Sequence, residues 1–159
     1  MFGTHPEAPV SPARRVAFAG VVGALYVVLS ITPFSYGPVQ FRIGEALKPL
    51  VIRYPALALA FGVGTVIINL FSPFGVLELT FMPLVDVTGG LLCWFVARRI
   101  GTTFGTYVAS LLYALWTAAG VALVIVIATG LPYLLTFVSV AASEVILLLA
   151  GNAVMVRRL

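Results

Sequence analysis

The chain has 159 residues, 62% of them apolar and 9% charged, with nine Lys or Arg against five Asp or Glu. A soluble domain of this size carries about 25% charge and 45–50% apolar residues, so the composition excludes that class and leaves a single membrane domain. One histidine (His5), one cysteine (Cys93) and one lysine (Lys48) exclude an internal disulfide and a His/Cys metal centre; no metal and no cofactor is expected.

At roughly 20 residues per helical crossing, six crossings take about 120 residues and leave room for tails and turns. Residues 1–15, with His5, Glu7, three prolines and Arg14–Arg15, read as a cytoplasmic N-terminal tail; residues 16–159 form the membrane domain. The first apolar run, 16–32, ends at Pro33. It is read as a retained span, since further apolar segments follow and no small-residue cleavage site is evident. A breaker cluster, Pro33, Ser35, Gly37 and Pro38, then sets a loop.

Further runs cover 56–71 and 79–97, and no charge occurs between Arg99 and Glu144. Gly130-Leu131-Pro132 divides that neutral stretch into spans near 105–128 and 134–156. These five spans disagree with the basic residues. Arg14–Arg15, Arg98–Arg99 and Arg157–Arg158 all favour the cytoplasm, yet only three crossings separate the first two pairs. One more crossing restores agreement, and residues 43–53 supply it, closed by Arg53 and the turn at Tyr54-Pro55. The fold expected is an all-α six-transmembrane-helix bundle in the plasma membrane, both termini cytoplasmic, its second helix short and broken. Even from Gln40 to Tyr54 that segment spans only about 22 Å of helix against a hydrocarbon core near 30 Å. It also carries Gln40, Arg42, Glu45, Lys48 and Pro49, so it needs shielding by other helices or a wet cavity.

Charges inside spans are costly and mark function by default. Arg42 lies on the outer side, away from the other basic residues: a ligand contact at an outward-open pocket, an interfacial arginine snorkelling to headgroups, or a partner of Glu45 three positions on. Glu45 has Arg42 and Lys48 three positions to either side and is open to neutralisation on its own helix. Glu144 stands in mid-span with no charge nearby, and ionised it needs a donor. Glu78 at the outer mouth of the fourth span and Asp86 deeper in it are second candidates, the former open to water, the latter to local satisfaction by Thr88 and a break at Pro83. Asn69 and Ser72 flank a turn at Pro73 and Gly75, where capping and interhelical bonding are equally apt. Phe34, Tyr36, Phe41, Phe71, Phe74 and Tyr133 suit an interfacial belt. Trp116, halfway along the fifth span, is a stacking surface or simple packing. Ala19, Gly20, Gly23 and Ala24 form a stripe for close helix approach, to this chain or to a partner. Gly62, Gly64 and Thr65 fall inside an apolar helix and make no dinucleotide site, and Lys48 lies in no phosphate loop, so any ATP drive is borrowed.

Tyr36–Leu47 (YGPVQFRIGEAL), Asn69–Gly75 (NLFSPFG) and Ser143-Glu144 resemble the queuosine-precursor transporter family QueT, substrate-binding S components of energy-coupling factor transporters. The similarity runs from about residue 14 to the C terminus. The chain departs from the family pattern at Gly44 (commonly serine), Glu78 (commonly aspartate) and Asp86 (commonly uncharged). The resemblance implies a six-helix S component that opens outward, is not an enzyme, lacks its own ATPase site, binds no nucleic acid, and joins a transmembrane coupling subunit and two cytosolic ATPase subunits. The implied cargo is a 7-deazaguanine: the cyano or aminomethyl precursor, or queuine.

A guanine-type edge offers N1–H and 2-amino donors, suited to Glu144 or Glu45, and an O6 acceptor, suited to Gln40, Arg42 or Asn69. Phe41 or Trp116 would cover the flat face, and the loop from Thr32 to Arg42 would close over it. The substrate-binding set is then Gln40, Phe41, Arg42, Glu45, Asn69, Glu78, Asp86, Trp116 and Glu144, and the partner interface Ala19, Gly20, Gly23 and Ala24. An S component for another vitamin or nucleobase, or a proton-coupled carrier acting alone through Glu144, is the alternative. An intramembrane enzyme would have only paired carboxylates to work with.

Overall fold

The computed structural model describes residues 11–32 and 40–156. Among these the chain is wholly helical. Helix α1 (Pro12–Ser30) is followed by a 3-10 helix (Ile43–Ile52), then by α2 (Leu57–Asn69), α3 (Gly75–Ile100), α4 (Thr103–Thr129) and α5 (Tyr133–Gly151), the last running into a π-helical turn at Asn152–Val156. Six helical passes thus follow one another, as the charge parity requires. Four helices, α1, α3, α4 and α5 with its extension, are long and apolar enough to cross a membrane.

Local chemistry sets most ends. The Ser11 hydroxyl caps α1 by accepting from the Arg14 N–H, and Pro12 occupies the first turn, so this helix begins four residues before the expected 16. Helices α3 and α4 both stop at a glycine in the left-handed region, Gly101 (φ 66°) and Gly130 (φ 75°), a conformation that costs other residues energy. Pro83 sits inside α3 without ending it, as bundle neighbours allow in a membrane.

The burial pattern is inverted relative to a soluble protein. Leu134 is 72% exposed, Val76 73% and Leu59 65%, whereas Arg42, Glu45, Lys48, Glu78, Asp86 and Glu144 are all buried. Such an apolar belt around charged groups faces lipid. Two apolar clusters fill the interior beside the charges. One joins Tyr26, Val51, Phe61, Cys93, Tyr113 and Leu148; the other joins Met82, Val85, Val121, Ile125 and Val140.

The passes alternate in direction. Arg15 and Ala56, at the starts of α1 and α2, line one groove. Arg53, at the end of the 3-10 helix, lines another with Ala97, Gly101 and Thr102 at the α3–α4 junction. The basic residues Arg15 and Arg53 therefore lie at the same end of the bundle as the end of α3.

The 3-10 helix occupies the middle of the bundle. Ten residues at about 2.0 Å per residue reach about 20 Å, further than the same residues would as α-helix, and the tighter coil is thinner. Thinness matters here, because a Cβ on Gly44 would overlap the Ser30 Oγ and Tyr26 carbonyl of α1, and one on Gly151 would overlap the Ala46 carbonyl. The segment is thus gripped between α1 and α5. Pro49 sits within it, where an α-helix would lose a hydrogen bond and gain a clash.

Candidate functional site

In a 3-10 helix, residues three apart eclipse one another. Arg42, which caps the segment, and Glu45, Lys48 and Val51 therefore form one row, and all four are buried. The row faces α3. Six residues of 3-10 helix and eight of α-helix each advance about 12 Å, so the spacing from Arg42 to Lys48 matches that from Glu78 to Asp86. Both rungs of this ladder form: Arg42 Nη2 donates to Glu78 Oε1 at 3.0 Å, and Lys48 Nζ to Asp86 Oδ1 at 2.5 Å. Each helix supplies the other's counter-charges.

Lys48 also pairs with Glu45 Oε2, and its Nζ lies 5.8 Å from the Tyr26 ring centroid and 5.2 Å from that of Tyr113, within range for cation–π attraction. The second oxygen of each carboxylate takes a hydroxyl: Tyr26 donates to Glu45 Oε1 at 3.0 Å, Thr65 to Asp86 Oδ2, and Ser72 to Glu78 Oε2. Tyr113 donates to the Asp86 carbonyl at 2.9 Å and Asn69 Nδ2 to the Glu78 carbonyl at 3.0 Å. Helix α5 enters through Ser143, whose hydroxyl donates to the Gln40 carbonyl at 2.6 Å.

Several expectations acquire different partners. Arg42 pairs with Glu78, not with Glu45. Glu78 is 1% exposed rather than bathed in water, because α3 begins at Gly75 and carries it inside. Asp86 is satisfied by Lys48 and Thr65, while the Thr88 hydroxyl turns back to the Leu84 carbonyl at 2.7 Å. Asn69 and Ser72 tie the α2–α3 turn to Glu78. The structure thus brings together Gln40, Arg42, Glu45, Asn69, Glu78, Asp86 and Glu144. Trp116 stands on the α3–α4 seam, half-exposed, its indole N–H donating to the Val85 carbonyl at 3.2 Å and Thr88 Oγ1 at 3.1 Å. Phe41 is also partly exposed, beside Gln40 and Arg42. Phe34, Tyr36 and the loop body at 33–39 lie outside the described residues.

Four buried polar atoms at this cluster have no hydrogen-bond partner among the described residues: Glu45 Oε2, which is held by its ion pair with Lys48, and Gln40 Nε2, Asn69 Oδ1 and Glu144 Oε2, which are not so held. Buried polar groups are normally paired, so a donor and two acceptors are left for a guest. From sequence, Tyr26 and Tyr113 had no role and Thr65 no binding role, and Ser143 appeared only beside Glu144 in the family motif, whereas the expected neutralisation of Glu45 by Lys48 on its own helix is found. One available signal was a single hydroxyl or cation at mid-depth in otherwise apolar spans.

The small-residue stripe is divided in use. A Cβ on Gly23 would touch Ala60 of α2 at 3.4 Å, while Gly20 has nothing within 4 Å and Ala24 is exposed. Between them runs an apolar groove of about 550 Å³ on the α1–α2 face.

Comparison with known proteins gives a family model, described as QueT transporter, that matches residues 16–157. The queuosine precursor transporter QueT of Lactococcus lactis subsp. cremoris (strain MG1363) is 35% identical over 66 residues, which cover 39% of this chain and 39% of that protein. The matched stretch is thus about two-fifths of the relative's length. No solved structure matches the chain.

Proposed function

From the QueT transporter family, to which this chain belongs, we propose that it is the substrate-binding S component for uptake of a queuosine precursor, a 7-deazaguanine. The observation that carries this is the set of unpaired buried groups beside the charged ladder: Gln40 Nε2, Asn69 Oδ1 and Glu144 Oε2. A guanine-type edge suits them. The Gln40 amide donates to O6 and Asn69 Oδ1 accepts from an N–H of the base, with Glu144 as a further acceptor. Glu45, with both oxygens engaged by Tyr26 and Lys48, serves instead to hold the 3-10 helix. A base with reversed donors and acceptors leaves these groups unpaired, at about 1–3 kcal/mol each.

Transport on this reading is a conformational cycle without bond making. The chain sits in the cell membrane with the ends of its outer passes cytoplasmic, which the basic residues at that end support. A transmembrane coupling subunit with two cytosolic ATPases drives release inward. The α1–α2 groove around Gly20 and Ala24 is the docking surface for that subunit.

The test is uptake of labelled 7-deazaguanine into vesicles holding the chain with or without the coupling module, beside mass spectrometry of ligand retained on purification. Retention of unchanged base and ATP-dependent uptake with the module only are expected. Uptake by the single chain would replace this reading with a carrier, and chemical conversion of the base with an enzyme.

A further inference from the structure

Where α3 gives way to α4, the end of the bundle carries charge of one sign. Arg14, Arg15, Arg53, Arg98 and Arg99 lie there, while every described acid, Glu45, Glu78, Asp86 and Glu144, is buried in the interior. The ion pairs among the described residues all lie inside the bundle, so none of these five arginines has a carboxylate at ion-pair distance. Arg98 rests instead over the Trp94 ring, 5.2 Å from its centroid. After Val156 the sequence continues with two further arginines, Arg157 and Arg158.

A cavity of about 390 Å³ opens at this end, with Arg53, Thr102, Thr103, Thr106 and Val156 on its wall. Three features of that wall suit a phosphate carrying a polar arm. Arg53 is exposed and offers a guanidinium fork. The start of α4 offers backbone N–H groups: the Thr102 hydroxyl takes that of Gly105 at 3.1 Å and the Thr102 carbonyl that of Thr106 at 3.2 Å, which leaves those of Thr103 and Phe104 without a partner inside the helix, at the positive end of its dipole. Asn152, which opens the π-helical turn, is the third. It is 1% exposed, its Nδ2 donates to Thr106 Oγ1 at 3.1 Å, so that the amide is turned to the cavity wall, and its Oδ1 has no partner among the described residues. Buried amide oxygens normally accept a hydrogen bond. Beside this polar wall Ile100 and Phe104 expose apolar side chains.

We propose that this cavity holds the headgroup of an anionic phospholipid with a hydroxyl-bearing arm, of the phosphatidylglycerol class, from the leaflet at the basic end. The phosphate lies on Arg53 and the α4 N-terminus, a glycerol hydroxyl donates to Asn152 Oδ1, and the acyl chains follow Ile100 and Phe104. Charge separates this lipid from the zwitterionic ones: arginines without acids attract a headgroup of net negative charge, whereas a choline headgroup brings its own cation. A soluble phosphate ester would meet the same polar groups but leave the apolar face beside them unused, so a lipid is the occupant that engages both parts. Bound there, it bridges the end of the 3-10 helix, the α3–α4 turn and the end of α5.

The test is titration of the detergent-solubilised full chain, read by native mass spectrometry, with four probes: phosphatidylglycerol, phosphatidylmethanol (the same charge without a hydroxyl), phosphatidylcholine, and glycerophosphoglycerol, the deacylated headgroup. Phosphatidylglycerol is expected to bind at least about fivefold more tightly than each of the others, the scale of one added polar contact. Arg53→Gln should weaken it about fivefold, while Arg14→Gln, at the same end but outside the cavity, should change it less than about twofold. Asn152→Ala should erase the preference over phosphatidylmethanol. Equal affinity of the unaltered protein for phosphatidylglycerol and phosphatidylmethanol overturns the proposal without needing any variant to fold, and equal affinity for the deacylated headgroup overturns it in favour of a soluble phosphate ester. The same loss in Arg14→Gln as in Arg53→Gln also overturns it, by showing a diffuse basic surface in place of a site. Each of these outcomes leaves the reading under Proposed function untouched, since that reading uses other residues.

Discussion

Lys48 shows how much a single buried side chain carries. It faces Glu45 and Asp86 together and lies between two tyrosine rings. Removing one partner of a buried ion pair costs about 3–5 kcal/mol, because the other charge stays behind without compensation. Lys48→Met is therefore expected to lower the midpoint of denaturation in detergent sharply, and adding Asp86→Asn should restore much of the loss. An additive penalty in the double variant would mean that the two do not interact. At the other rung, Arg42 and Glu78 should be coupled by at least about 0.5 kcal/mol in a double-mutant cycle of thermal stability. That Arg42, Glu45, Lys48, Asp86 and Glu144 carry charge into the bundle was legible from their places in apolar segments, whereas Glu78 was expected in water and is buried. Their pairing was not legible, since helical periodicity points Arg42 at Glu45, three residues on, and nothing local points it at Glu78 on another pass. That choice is made by a row of 3-10 helix lying in register with α3.

At the scale of elements, the spans were legible wherever punctuation marks them. Gly130, with Pro132, ends one helix and separates it from the next by backbone geometry that few other residues accept, while Gly101 ends α3 in the same way without a proline to announce it. The second pass was legible as an anomaly, too short and too polar, but its coil type was hidden, because the sequence between Ile43 and Ile52 holds no residue that demands 3-10 geometry. The close approach of neighbours decides it. Gly151 leaves no room for a Cβ against the Ala46 carbonyl, and backbone cannot swing aside as a side chain would. Gly151→Ala is expected to destabilise the protein by about 1–3 kcal/mol through overpacking. The same change at Gly20, where nothing lies within 4 Å, should leave the denaturation midpoint unchanged or slightly raised, as alanine favours helix. Equal effects at the two positions would show that the 3-10 helix is not held by its contact with α5.

Over the whole molecule, the buried charged cluster and the open groove are separated in space, which on the proposed reading divides cargo recognition from energisation. The charged ladder ties the 3-10 helix to α3, with α5 and the Thr65 and Asn69 side chains of α2 at its edge, whereas the open groove lies on the α1–α2 face. Two side chains join the two regions: Tyr26 of α1 donates to Glu45 and Thr65 of α2 to Asp86, and the Tyr26 ring fills the space where a Cβ on Gly64 of α2 would fall. On the proposed reading, movement of α1 and α2 against a coupling subunit would reach the charged cluster through Tyr26 and Thr65. Filling the groove should block the partner without touching the ligand groups. Gly20→Leu with Ala24→Leu is expected to keep 7-deazaguanine affinity within about twofold, since neither position contributes to the charged cluster, while ATP-dependent uptake falls by at least tenfold through loss of close helix packing. Measured in the same vesicles, unchanged uptake would move the docking surface elsewhere on the bundle. A matched loss of affinity and uptake would mean instead that α1 and α2 help to shape the binding site directly.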